Sequence, residues 1–250
     1  MAVAGRASLA GRAAARAERA SEGEMAKPVL VAWSGGKDSA LALQEVLRDE
    51  RYRVVALVTT VTSRYDRISM HGVRRGLLHR QAQALGLPLQ EVVIPPDASN
   101  EEYERQMEAT LTAARTRVAD LDVVVFGDLF LADIRAYRER MLARIGMRGL
   151  FPLWLRDTRA LAADCVRQGY KAVLVCVDSR ALPGAFAGRE YDAALLDDLP
   201  PGIDPCGEHG EFHTFVYAGP ILHGSVPHRR GEVVVRNGRF VYCDLLEITP

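Results

Sequence analysis

Cysteine is scarce: the chain of 250 residues holds 4, and Cys165, Cys176, Cys206 and Cys243 form neither a C-x-x-C pair nor a dense framework. That excludes a disulfide scaffold and reads as reduced thiols in a protein with cytoplasmic localisation. Net charge is also missing, since 32 Lys and Arg balance 32 Asp and Glu. A neutral chain carries no global electrostatic footprint for DNA, which is not expected as a partner. No apolar run approaches the roughly 18 residues of a membrane span, so no membrane partner is expected either. The first 26 residues are rich in Ala and Arg, with no secretory apolar segment and with acids (Glu18, Glu22, Glu24) that argue against a transit peptide. They read as a loosely ordered extension, with Met25 as an alternative start.

What is present is a large apolar share, 48%, ample for a packed core of one large or two modest domains. The most informative stretch follows Val29-Leu30-Val31: Ala32-Trp33-Ser34-Gly35-Gly36-Lys37-Asp38-Ser39. An apolar run closed by two glycines and followed by Ala40, Leu43, Val46 and Leu47 at helical spacing reads as strand, tight turn and helix start. The free N–H groups and the positive dipole end of such a helix favour an anion on residues 34–39. Two commoner phosphate motifs fail on spacing. Asp38 stands where a P-loop needs Ser or Thr, with Val31 where it needs Gly, and no third glycine completes a G-x-G-x-x-G fingerprint.

Along the chain, Val54 to Val61 and Leu89 to Ile94 read as strands, separated by a helix from about Val73 that closes at Gly86. Ser99 with Glu102 predicts a helix start, and Tyr103, Met107, Leu111, Ala114 and Val118 form its stripe. Asp122 to Phe126 is a fourth strand running into Gly127-Asp128, and the next helix is expected to bury Phe130, Ile134, Tyr137, Met141 and Ile145. Strands alternating with helices predict an α/β fold, a Rossmann-like parallel sheet with helices on both faces. Ligands then lie beyond the carboxyl ends of the strands, which puts Ser34 to Ser39, Thr59 to Ser63 and Gly127-Asp128 on one rim.

The pattern changes past Gly146, and a boundary near Arg148 divides the chain into an extension (1–26), a nucleotide-binding domain (27–148) and a smaller C-terminal α+β, substrate-facing domain (149–250). In the latter, Asp157 caps a helix that stops at Gly169, Ala172 to Val177 is a continuous apolar strand, and short strands follow with a hairpin turn at Asn237-Gly238. Between them, Asp204-Pro205-Cys206-Gly207-Glu208-His209-Gly210-Glu211-Phe212-His213-Thr214 packs acids, histidines and a cysteine between glycines. Three readings stay open: a zinc site from Cys206, His209 and His213, a solvated turn, or a substrate lid in which Glu208 and Glu211 hold an amine or take a proton while His213 orients or protonates.

Ser-Gly-Gly-Lys-Asp-Ser after a strand resembles the pyrophosphate loop of ATP pyrophosphatases, which cleave ATP to AMP and pyrophosphate while adenylating a substrate. Gly207 to Thr214 is similar to the C-terminal signature of the diphthine–ammonia ligase family, with His209 where the family has Asn. Met70-His71-Gly72 and Gly127-Asp128 before Ala132-Asp133-Ile134-Arg135 are similar to that family too. The resemblance, over about residues 28–220, implies ATP-dependent amidation of a diphthine carboxylate on the translocation elongation factor by ammonia. It makes ATP and Mg²⁺ the expected cofactors, and ATP, ammonia and a carboxylate acceptor on a modified protein side chain the expected partners, with a homodimer left open. In this scheme the amides of Gly35 to Ser39 and Lys37 hold pyrophosphate, Ser34 and Ser39 donate hydroxyl bonds, and Asp38 is the metal ligand. The backbone of Val58 to Thr60, Thr59 included, reads adenine. Asp128 is a second carboxylate beside Gly127, while Arg135 and His71 stand between site and surface. Modification of tRNA and nucleotide sensing without turnover are the alternatives.

Overall fold

Residues 26–63, 66–68 and 71–248 are described in a computed structural model; all of the N-terminal extension but Ala26, and Met70 of the resemblance, lie outside the described residues. The first half alternates as the apolar periodicity requires. It comprises β1 (Lys27–Ala32), α1 (Lys37–Arg48), β2 (Tyr52–Thr62), β3 (Arg67–Ile68), α2 (Arg75–Leu85), β4 (Leu89–Ile94), α3 (Asn100–Arg117), β5 (Val123–Val125), α4 (Ala132–Ala143) and β6 (Arg148–Leu150). Five of these strands are parallel in the order β4-β2-β1-β5-β6. The short β3 adds antiparallel to Val61 and Thr62 of β2. Since β4 holds one edge of β2 as far as Thr62, β3 lies on the other edge, past the end of β1.

Alternation along the central strands explains their unbroken apolar sequence. Val29 and Val31 of β1, and Val123 and Val125 of β5, pack with α1 and α2, whereas Leu30 and Val124 pack with Met107, Leu111, Met141 and Leu142 of α3 and α4. Both faces are covered, so no position is left for a polar residue. The chain builds outward from β1 to β2 and β4, then returns to the other flank of β1 with β5. The loops after β1 and β5 therefore diverge, and the crevice between them is where an open parallel sheet binds ligands.

The second half supplies α5 (Thr158–Arg167), β7 (Lys171–Asp178), a short 3₁₀ turn (Gly184–Phe186), α6 (Ala193–Asp198), β8 (Phe212–Ala218), β9 (His228–Arg236) and β10 (Phe240–Glu247). Its four strands form an antiparallel sheet in the order β8-β7-β10-β9. Val173, Phe212, Phe215 and Val216 of this sheet share one continuous core with Ala40 and Leu43 of α1 and Leu77 and Leu78 of α2. The fold is thus a helix-flanked parallel sheet with a smaller antiparallel sheet against one of its helical faces.

Local signals mark several element ends. Ser99 Oγ accepts from Glu102 N (3.2 Å) at the start of α3, Asp157 Oδ1 accepts from Ala160 N (2.7 Å) at the start of α5, and Gly86 ends α2 at φ 67°. Two departures have tertiary causes. The helix expected directly after Asp128 begins only at Ala132, because the amides of Leu129 and Phe130 donate to Glu208 from the second half of the chain. Its buried residues are therefore Met141 and Leu142, and Ile134 is exposed. His213 and Thr214, read as the end of a loop, belong to β8, since Phe212 and Phe215 on either side are buried and pair with β7.

One polar side chain joins the two sheets. Gln81 sits on the apolar stripe of α2 with no exposed surface. Its Nε2 donates to Gly35 O (2.9 Å) and Val216 O (2.6 Å), and its Oε1 accepts from Trp33 Nε1 (3.0 Å). Gln81→Ala leaves the buried Trp33 indole N–H without its acceptor and takes one donor from the carbonyls of Gly35 and Val216, and is expected to cost roughly 2 kcal/mol in urea unfolding. A loss below about 1 kcal/mol would show that Gln81 is not what holds the sheets together.

Candidate functional site

The turn after β1 is built for close approach. Gly35 has φ 78°, in the left-handed region, and a Cβ there would stand 2.8 Å from Gln81 Oε1. Gly36 is the N-cap of α1 and has no side chain to cap it. The cap comes from β8: Thr214 Oγ1 accepts from Lys37 N (3.1 Å), and Val216 N donates to Gly35 O (2.9 Å). Ser39 Oγ donates to Gly36 O (2.8 Å), and Ser34 Oγ lies 3.2 Å from Ser39 Oγ. The first turn of α1 borders a cavity of about 530 Å³, within the range of small-molecule sites, at the crevice between β1 and β5.

Lys37 lies on the cavity wall, yet its side chain is almost wholly buried and its ammonium points to the second half of the chain. It donates to both Asp38 oxygens (3.0 and 2.9 Å) and to Cys206 O, over the rings of Tyr191 (5.4 Å) and Phe212 (5.5 Å). Burial by itself would lower the ammonium pKa, but Asp38 beside it more than offsets this and the net direction is upward. Lys37 therefore stays charged and clamps the Cys206 turn to α1.

The acids expected from the sequence separate. Glu208 reaches the rim after β5, where Oε1 accepts from Leu129 N (2.7 Å) and Phe130 N (3.3 Å), and burial pushes its carboxyl pKa up. Glu211 is not on the cavity wall, which corrects its expected place. Its side chain is buried, with Oε1 accepting from Asp204 N (3.2 Å) and Oε2 unpartnered, because it braces the 204–211 turn from within. His209 stacks edge-on against Phe130 (5.1 Å) and does not line the cavity. Cys206 Sγ faces Thr158 O (3.4 Å), and among the described residues no three His, Cys, Asp or Glu converge as a metal cluster, so the zinc reading finds no geometry.

His213 does line the cavity, with His71 against it at 4.5 Å between ring centroids. Burial and the Lys37 ammonium lower the His213 pKa to about 4; burial, His213 and Lys37 hold His71 well below its usual value too. Across the crevice, Gly127 presses on α1: a Cβ there would fall 2.7 Å from the Asp38 carbonyl carbon, so only glycine fits. Asp128 pairs with Arg138 (2.9 Å), whose guanidinium covers the Phe126 ring (4.5 Å). Arg135 lies on Phe151 and Trp154 (4.7 Å each) and pairs with Glu139, away from the cavity. Thr59, only 3% exposed, keeps an unpartnered Oγ1 on the cavity wall. Such an orphaned hydroxyl calls for a ligand or water.

The cavity thus has two ends. One is polar, with Ser34, Asp38, Ser39, His71 and His213. The other is apolar, with Ile94, Met107, Leu111 and Met141 beneath Phe126. That arrangement suits a molecule with a flat apolar base and an anionic tail. Two contributors escaped the sequence reading. Thr214 caps a helix from 177 positions away, which no local pattern records. Gln81 carried a signal: a polar residue in an apolar helical stripe.

Two family models match the chain, the diphthamide synthase N-terminal domain over residues 27–149 and the diphthamide synthase C-terminal domain over residues 157–235. Relatives named diphthine–ammonia ligase include one from Schizosaccharomyces pombe, 26% identical over 218 residues, covering 80% of this chain and 36% of that protein. One from Danio rerio is 26% identical over 226 residues, covering 82% and 87%, and one from Mus musculus is 23% identical over 226 residues, covering 82% and 84%. The chain therefore spans about a third of the first relative and most of the other two.

The depressed histidine gives a pH dependence of known sign. His213 titrates near 6.5 in an unfolded chain. The unfolded state binds the extra proton between there and the folded value of about 4. The stability that His213 contributes is therefore complete above about pH 6.5 and lost as the pH falls toward 4. The urea midpoint is expected to fall over this interval, and less steeply in His213→Gln; equal slopes would contradict the burial of a neutral imidazole.

Proposed function

The chain belongs to the diphthamide synthase family, and from that premise we propose that it is an ATP-dependent amide-forming ligase that adenylates a diphthine-type carboxylate and transfers it to ammonia. The observation that carries this reading is the crevice itself: a strand-to-helix turn whose helix is capped by Thr214 opens onto a cavity that Glu208 and His213 also line. A carboxylate does not react with ammonia at neutral pH, because its leaving group would be oxide. In the first step a carboxylate oxygen attacks the α-phosphorus of ATP, the bond to the bridging oxygen breaks, and pyrophosphate leaves with the electron pair. The acyl-adenylate that results has AMP as a good leaving group.

In this reading the first turn of α1, with Ser34 and Ser39, receives the phosphates, supported by the amides and dipole of a helix start. Adenine occupies the apolar end beside the backbone of Val58 to Thr60, which lines the cavity. Asp38 on the cavity wall suits Mg²⁺, which binds through one or two carboxylates plus substrate phosphates and would neutralise charge on the departing pyrophosphate. Lys37, held by Asp38 and Cys206 O, adds a fixed positive charge from beneath the loop. Glu208 and His213 form the wall toward the acceptor, and Glu211 acts through the Asp204 turn as a positioning residue. The diphthamide synthase family models and the relatives named diphthine–ammonia ligase favour amidation over modification of tRNA or nucleotide sensing.

The test is the nucleotide product. Incubation with ATP, ammonium and a diphthine-bearing acceptor is expected to yield AMP and pyrophosphate in equal amounts with the amide, and ADP would remove the reading. Asp38→Asn should lower pyrophosphate release by about 100-fold or more, as for loss of a group that stabilises transition-state charge. Undiminished release would take Asp38 out of the chemistry.

A further inference from the structure

The transfer step, in the ligase reading on which this inference rests, has a proton to dispose of. When the ammonia nitrogen attacks the acyl carbon, its lone pair forms the C–N bond and the C–O bond to phosphate breaks. AMP leaves with that electron pair, and the nitrogen must give up one proton. We propose that His71 is the group that receives it, through Nε2.

The tautomer follows from the neighbour. His71 Nδ1 lies 3.4 Å from Thr214 O, a carbonyl that only accepts, so Nδ1 carries the hydrogen and Nε2 keeps its lone pair. The ring stands on the cavity wall and flanks the phosphate loop: a Cβ placed on Gly36 would be 3.3 Å from His71 Cε1. The ring edge that carries Nε2 thus lies beside the loop that, in the ligase reading, receives phosphate. The polar atoms about it are few. Asp38 is engaged with Lys37, Asp128 with Arg138, and Glu208 with the amides of Leu129 and Phe130. Each carboxylate on the wall has a cation or amide partner, and the imidazole pair is what remains as a base.

His71 rather than His213 holds the tautomer contact, and His213 packs on it at 31° between ring planes. In the free protein the charged and titratable groups acting on His71 are His213 and the Lys37 ammonium, and both oppose a second positive charge there. A bound nucleotide brings several negative charges to the same loop and reverses that opposition, so the base gains strength when substrate is in place.

The experiment compares ammonium with hydroxylamine as nucleophile in the full chain, with ATP and the diphthine-bearing acceptor. Hydroxylamine is uncharged near neutral pH, and its nitrogen, once acylated, loses its proton to water far more readily. In His71→Gln, amide formation from ammonium is expected to fall about 100-fold, within the range of a lost general base, while hydroxamate formation falls much less. The ratio of the two rates then shifts by about tenfold or more, and raising the pH restores the ammonium rate in the variant. A ratio equal to that of the wild type overturns the assignment, whether both rates drop together, as a merely structural role predicts, or neither does. Absence of pyrophosphate release by the wild-type chain with either nucleophile removes the ligase reading, and with it this step, and is distinguished by requiring no variant.

Discussion

The hydroxyl of Thr214 on the amide of Lys37 is the contact on which the site depends. A helix that opens at a glycine has no side chain of its own to cap it, and glycine is needed there because the backbone must come close to its neighbours. The cap is therefore borrowed from the antiparallel sheet, and Val216 N on Gly35 O adds a main-chain bond to the same turn. The loop after β1 is thus a seam between two sheets. Its geometry is set as much by β8 as by β1.

Buried electrostatics reinforce the seam. An ammonium as enclosed as that of Lys37 survives in a folded chain only with partners, and it has Asp38 on its own helix and Cys206 O on the other side of the seam. Glu208 makes the reciprocal connection from the 204–211 turn to the rim after β5, and it delays the start of α4 in doing so. Gly127 closes the third side by backing directly onto α1. Three loops, after β1, after β5 and before β8, are therefore mutually fixed around one cavity.

What the sequence displays is what depends on neighbours along the chain. Both-face burial made β1 and β5 visible as apolar runs, Ser99 and Asp157 announced their helices, and the Gly-Gly turn before Lys37 marked the strand-to-helix junction. What it hides depends on side-chain direction across the seam. Lys37 reads as a phosphate contact until Cys206 O and Asp38 are seen to hold it. Glu211 differs from Glu208 only in which way the turn faces it, and three positions along a glycine-rich segment were enough to send one to the rim and the other into the interior. His71 was ambiguous as a loop residue and becomes defined once Thr214 O fixes its tautomer.

The central claim, that the loop after β1 and the second half of the chain form one nucleotide site, is tested most directly by amide hydrogen exchange with a non-hydrolysable ATP analogue. Peptides covering residues 33–43 and 204–218 are expected to gain protection together, because the Lys37 amide and the Val216 amide belong to one hydrogen-bonded seam. Protection confined to residues 33–43, with 204–218 exchanging as in the free protein, would contradict it.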